Sequence, residues 1–196
     1  MVYNRKDPYY KKAKTEGYKS RAVYKLMDID KKYSILNNAK IVLDLGASPG
    51  SWSQFLLTKV GPDGLVVAVD RLEIKNIKAY NFVFINGNIF DDKIIETIKL
   101  SNNFFDLILS DAAPNTTGQK DADHVNSINI VERVFFIAKL LLKENGNFLV
   151  KLFEGPNVKD IFNNIKKHFD LTKIFRPPST RKGSIETYII GKKFHS

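Results

Sequence analysis

Ile41, Val42, Leu43 and Leu45 form an apolar run broken only by Asp44 and followed by Gly46, the pattern of a buried first strand that feeds a tight turn. The turn spans 46–50 and leads into a helix over about 50–59, while Ala22, Val23, Leu26 and Ile29 place a helix before the strand, within 19–34. Gly61-Pro-Asp-Gly64 then introduces a second strand over 65–70, and 82–86 reads as a third. The pattern continues with a helix at 91–100 and a fourth strand at 104–111. A long helix follows at 123–143, closed by Asn145-Gly146. Next come a fifth strand at 147–153, a helix at 158–168, a sixth strand at 171–175 and a seventh at 186–191. Strands alternating with helices predict a mainly parallel sheet covered on both faces. The stretch 176–184 leaves no room for a crossover helix, so the last strand should run antiparallel to the sixth. The expectation is therefore a single α/β domain over 1–196 with seven strands, mostly parallel, and a separate character for residues 1–18.

Composition narrows the class. At 196 residues and 43% hydrophobic content the chain can bury one core but not two. The absence of Cys excludes disulfide frameworks and Cys-based zinc or redox sites, and favours an intracellular protein, with cytoplasm, nucleolus and mitochondrion left open. No run approaches the roughly 20 apolar residues of a membrane span, and the N-terminus lacks the apolar centre of a signal peptide. No extra element suggests dimerisation, so a monomer is expected. The net charge of +10 is concentrated early: Arg5, Lys6, Lys11, Lys12, Lys14, Lys19, Arg21 and Lys25 face only Asp7 and Glu16. Tyr3, Tyr9, Tyr10, Tyr18 and Tyr24 are interleaved with them, which gives residues 1–18 and their neighbours the composition of a nucleic-acid-binding arm, a solvated Lys-rich tail being the plainer reading.

The chemistry collects at the strand ends. Gly46-x-x-x-Gly50, with Ser48 and Pro49 inside the turn, differs from the Gly-x-Gly-x-x-Gly that makes room for a dinucleotide pyrophosphate, and points to S-adenosyl-L-methionine as the ligand of the corner. Asp70 ends the second strand at a spacing suited to ribose hydroxyls, or serves as a helix cap. Asp111 closes the fourth strand, Lys151 lies within the apolar fifth, and Glu186 begins the antiparallel seventh, so topology brings all three to one edge, with Lys25 in reach. Such a cluster is either a buried salt bridge or a catalytic group in which a desolvated lysine serves as a base. His124, His168 and His195 lack metal-ligand spacing, and neither a Gly-x-Ser-x-Gly elbow nor a Walker sequence occurs, so no metal is expected.

Five stretches carry a family resemblance: Ser20-Arg-Ala-Val-Tyr-Lys25, Asp44-Leu-Gly-Ala-Ser-Pro-Gly-Ser-Trp52, Ser110-Asp-Ala-Ala-Pro-Asn115, Val150-Lys-Leu-Phe153 and Glu186-Thr-Tyr188. Collinear over nearly the whole chain, they resemble the FtsJ/RrmJ family of ribose 2′-O-methyltransferases. The resemblance implies a Rossmann-like methyltransferase fold and a catalytic tetrad of Lys25, Asp111, Lys151 and Glu186. Lys151 would be the general base, its proton affinity lowered by Lys25 and the cofactor sulfonium. It also implies cofactor contacts from Gly50, Trp52, Asp70 and Asp111, beside Gly46, Ser48 and Pro49 of the turn. Asn88 stands near the adenine, where the family usually has Asp. The Ser-Asp-Ala-Ala-Pro-Asn form is similar to the ribosomal RNA branch, which implies a uridine in large-subunit ribosomal RNA. Transfer RNA or an mRNA cap, and a non-catalytic ribosome-assembly factor, are the alternatives. Arg5, Lys11, Lys12, Arg21, Arg181 and Lys182 are the expected phosphate contacts, on two sides of one RNA groove, with Asp70 and Trp52 serving only the cofactor.

Overall fold

A computed structural model of the chain describes residues 7–114 and 118–196. Its elements are α1 (Pro8–Thr15), α2 (Val23–Tyr33), β1 (Ile41–Leu45), α3 (Ser51–Val60), β2 (Leu65–Asp70), β3 (Phe82–Asn86), α4 (Lys93–Ser101), β4 (Phe105–Ser110), α5 (Lys120–Leu141), β5 (Leu142–Phe153), α6 (Val158–Lys166), β6 (Phe169–Phe175) and β7 (Glu186–Phe194). The strands form one sheet in the order β3-β2-β1-β4-β5-β7-β6. β1 to β5 pair in parallel, and β7 is antiparallel to both β5 and β6, as the short 176–184 connection requires. The chain winds outward from β1 through β2 to β3 and then returns to the other side of β1, so the strand order reverses between β1 and β4. A crevice opens at the strands' carboxyl ends at such a reversal.

Alternation along each strand divides the core in two. Leu43, Leu45, Phe148, Val150 and Leu152 face the layer of α4, α5 and α6, whereas Val42, Leu107, Leu109, Leu149 and Tyr188 face α1, α2 and α3. With both faces covered, the central strands become near-continuous apolar runs, which is why Leu65–Asp70 reads so plainly in the sequence.

Several boundaries differ from expectation. The arm contains a docked helix, α1: the Asp7 side chain accepts the Tyr9 N–H, Pro8 holds the first helical position, and Gly17 at φ 77° ends the segment. Its polar composition hid it, since Ala13 and Tyr9 are the residues of the helix that pack against the core. α5 ends at Leu141 rather than at Asn145-Gly146. The left-handed residue is Asn145, at φ 64°, and it lies within β5, which starts at Leu142, earlier than the apolar run suggests. β6 and β7 also extend beyond their predicted spans, by Phe169 and Phe194 at their ends, where both rings are buried.

Candidate active site

Lys25, Asp111, Lys151 and Glu186 meet at the carboxyl edge of the sheet. Lys25 comes from the first turn of α2, Asp111 directly follows β4, Lys151 lies in β5 and Glu186 opens β7. β7 runs against its neighbours, so its first residue stands where their last residues stand, and Glu186 is the register partner of Phe153. The Lys25 Nζ donates to Glu186 Oε2 at 2.9 Å, and the Lys151 Nζ lies 3.1 Å from Asp111 Oδ1 and 3.9 Å from Glu186 Oε1. Lys151 also donates to the main-chain carbonyl of Asp111. Glu186 therefore stands between the two lysines, and Lys151 between the two carboxylates.

Burial alone would depress the Lys25 ammonium, but the charges of Asp111 and Glu186 outweigh it and hold Lys25 above the ordinary lysine value. Burial likewise works to raise the Asp111 carboxyl. Here Lys151 and Lys25, with hydrogen bonds from Tyr188 and Lys151, prevail and hold it below the usual carboxylate range. Tyr188 belongs to one of the five motifs, yet neither spacing nor resemblance assigns it a role. It is the register partner of Lys151, lies two residues from Glu186 on the same strand face, and its fully buried hydroxyl donates to Asp111 Oδ1 at 2.7 Å. Burial, then the Asp111 and Glu186 charges, push the phenol well above its ordinary value, so it remains a donor. The alternation of β7 is the sequence signal that points to it.

Beside the tetrad lies a cavity of about 580 Å³, lined by Gly46, Ser48, Asp70 to Leu72, Gly87 to Phe90, Asp111 to Pro114, and Asn126, Asn129 and Ile130 of α5. A second cavity of about 50 Å³ shares Gly46, Ser48 and Asp111 as walls and adds Asp44, Pro49, Ser51 and Trp52. Asp70 and Asn88 line the larger space. Asp70 caps no helix: its carboxylate accepts the N–H groups of Ser48 and Leu72 and so shapes the turn. Asn88 Oδ1 accepts the Phe90 N–H. Gly46 needs its missing side chain because a Cβ would lie 2.5 Å from that of Ala112, at φ 74°. Gly50 lines neither cavity, and a Cβ there would strike Ile74 and Ile77. Trp52 is a core residue at 2% exposure, with Nε1 donating to Ala22 O and its ring against Tyr188; it reaches only the smaller cavity.

Asp44, in the sequence no more than the acidic residue of the corner, gains a role of its own. Its side chain is buried, Oδ2 accepts from Ser53 Oγ at 2.7 Å, and Oδ1 has no hydrogen-bond partner among the described residues. Burial raises its carboxyl to about 7 against the opposing bond from Ser53, and the nearby Asp111 and Asp70 add to the rise. A lone acid near the end of an otherwise apolar strand is the available signal.

The expected phosphate contacts divide. Arg5 lies outside the described residues. Arg21 is turned inward: it pairs with Asp7, donates to Ser179 O and lies over the Tyr9 ring, so it joins α1 to the 176–184 loop rather than facing an open groove. Arg181 also reaches Asp7, at 3.2 Å, and Lys12 lies 3.8 Å from Glu16. Burial would raise Asp7, but the two arginines hold it below the ordinary value. Lys11 and Lys182 are exposed and have no ion pair among the described residues. Of the tyrosines expected to stack on bases, Tyr24 is buried, with Tyr9 and Tyr18 packed on it, and Tyr3 lies outside the described residues.

The FtsJ-like methyltransferase family matches residues 18–194. A ribosomal RNA large subunit methyltransferase E from Methanothermobacter thermautotrophicus is 44% identical over 194 residues, covering 97% of this chain and 90% of the relative. Its counterpart from Borrelia duttonii is 44% identical over 193 residues, covering 98% of each. A Plasmodium falciparum crystal structure assigned as a ribosomal RNA methyltransferase superposes with a TM-score of 0.79 at 30% identity, covering 90% of this chain and 98% of that one. By sequence along nearly its whole length, and by fold, the chain belongs to the FtsJ-like methyltransferase family.

Proposed function

We propose that this methyltransferase transfers the methyl group of S-adenosyl-L-methionine to a ribose 2′-hydroxyl, most specifically that of a uridine in large-subunit ribosomal RNA. The observation that carries the reading is the alternation of Lys25, Glu186, Lys151 and Asp111, both lysines buried and Tyr188 behind them, at the edge of a ligand-sized cavity. The rRNA assignment rests on the names of the relatives.

The residues suit the cofactor. Asp44 Oδ1 offers an unpaired buried acceptor for the ammonium of its methionine part, and Asp70 retains acceptor capacity for a ribose diol beyond its two main-chain bonds. Gly46, Ser48 and Pro49 wall the corner, and Asn88 lines the larger cavity with Ile89 and Phe90. When bound, the cofactor supplies a methyl group on a positively charged sulfur. Lys151 Nζ would take the proton of the 2′-hydroxyl, leaving its oxygen to accept the methyl group that the bound cofactor would supply from a sulfonium, whose sulfur would keep the electron pair of the bond it gives up. Lys25 is held charged by its carboxylate neighbours, and the role of base is assigned to Lys151. Asp111 and Glu186 position the lysines, and placing the reactants in line supplies much of the rate.

Mapping the methylated nucleotide after incubation with total RNA tests the assignment. A single 2′-O-methyluridine in large-subunit rRNA is expected; label confined to transfer RNA, a cap structure or a base would overturn it.

A further inference from the structure

β4 ends at Ser110, whose register partner on β5 is Val150. From there the two strands part and open the crevice, while β5 runs on to Phe153 with β7 on its other side. The bared edge of β5 carries main-chain polar groups in a buried place, where each one left unpaired forfeits the full cost of its desolvation. Two side chains of α5 take the place of the missing strand. Ser127 Oγ accepts the Phe153 N–H at 2.9 Å, and His124 Nδ1 lies 3.1 Å from the Phe153 carbonyl oxygen. The other ring nitrogen, Nε2, accepts the Asn157 N–H at 3.4 Å, so the proton of the neutral ring is on Nδ1 and is donated to Phe153. Both side chains are buried, and the ring lies so close to Gly155 that a Cβ there would come within 2.4 Å of Nδ1. Neither residue lines either cavity or bonds to a tetrad member.

We propose that His124, together with Ser127, is a positioning residue for methyl transfer. Phe153 carries Lys151 two residues upstream on the same strand face and has Glu186 directly across the ladder. Holding both main-chain groups of Phe153 from the α5 side fixes the separation of Lys151 and Glu186 after β4 has withdrawn. The same turn of α5 holds the segment after β4, where Gly118 N–H donates to Asp123 at 3.2 Å. α5 thus holds Gly118, beyond β4, and Asn157, beyond β5, from one side.

The inference rests on the tetrad reading, and the test separates the two. In steady-state transfer to RNA, His124→Ala should lower kcat about tenfold or more, with the KM for RNA and the Kd for S-adenosyl-L-methionine within twofold of wild type. His124→Asn, whose amide N–H can donate to Phe153 from the position of Nδ1, should recover most of the loss. Ser127→Ala should lower kcat about threefold, and it carries the test if His124→Ala does not fold. Unchanged kcat in a folded His124→Ala enzyme, or in Ser127→Ala where that variant carries the test, would overturn the proposal, as would equal losses of kcat and cofactor affinity or an Asn variant no better than Ala. If Lys151→Ala abolishes transfer while His124→Ala does not, this inference alone fails. If Lys151→Ala is also indifferent, the tetrad reading fails first.

Discussion

Asp44 and Asp111 are carboxylic acids of one crevice whose surroundings drive them in opposite directions. Asp111 has Lys151, Lys25 and Tyr188 around it and is held ionised, whereas Asp44 has one serine hydroxyl and is raised by burial to about 7. A carboxyl raised in the folded state adds most to stability in acid, and that contribution is lost as pH climbs from the unfolded value toward about 7. Cofactor binding should show the reverse dependence, because only ionised Asp44 can pair with an ammonium group. Titration calorimetry should find the affinity for S-adenosyl-L-methionine weakening as pH falls from 8 to 6. Asp44→Asn should bind about tenfold or more weakly at pH 8, a loss of about 1.4 kcal/mol or more, and show a flatter pH profile. An Asn variant with wild-type affinity and the same profile would remove Asp44 from the binding account.

At the scale of elements, the basic N-terminal helix and the cofactor corner are joined but separable. Ser20 and Ser51 share a hydrogen bond of 2.7 Å, and Gln54 of α3 binds both Lys19 N–H and Gly17 O. These bonds begin at Gly17, beyond α1. Removing residues 1–14 should therefore leave cofactor affinity within about twofold while weakening RNA binding, with the salt dependence falling by about 0.7–0.9 in log–log slope for each phosphate no longer neutralised. The deletion also takes Asp7 from Arg21 and Arg181 and uncovers Tyr24, so a lower melting temperature should accompany it. An unchanged salt slope, or loss of cofactor binding, would show that the helix has a different task. α1 is also the element least legible in the sequence. Its fold depends on one cap and one tyrosine cluster rather than on an apolar stripe, whereas β1, β2 and β4 declare themselves through runs buried on both faces.

For the molecule as a whole, the order of buried strands and the one short connection suffice to predict a parallel sheet with a reversed last strand, and that reversal brings Glu186 to the tetrad. What stays hidden depends on side-chain direction. The pairing of Arg21 with Asp7, the packing of Trp52 in the core and the close approach of Gly50 to two isoleucines are not written in the spacing of the sequence. Tyr188, Asp44 and His124 lie among apolar neighbours, and their roles emerge only when register and helix packing set them beside Asp111, a cavity and the end of β5. The central claim is that Lys151 takes the proton of the ribose hydroxyl, and single-turnover methyl transfer by Lys151→Ala on an RNA that the wild-type enzyme modifies tests it most directly. With cofactor and RNA both bound at saturation, the transfer rate should fall by about 10²-fold or more, in keeping with loss of a general base; a rate near that of the wild type would contradict the account.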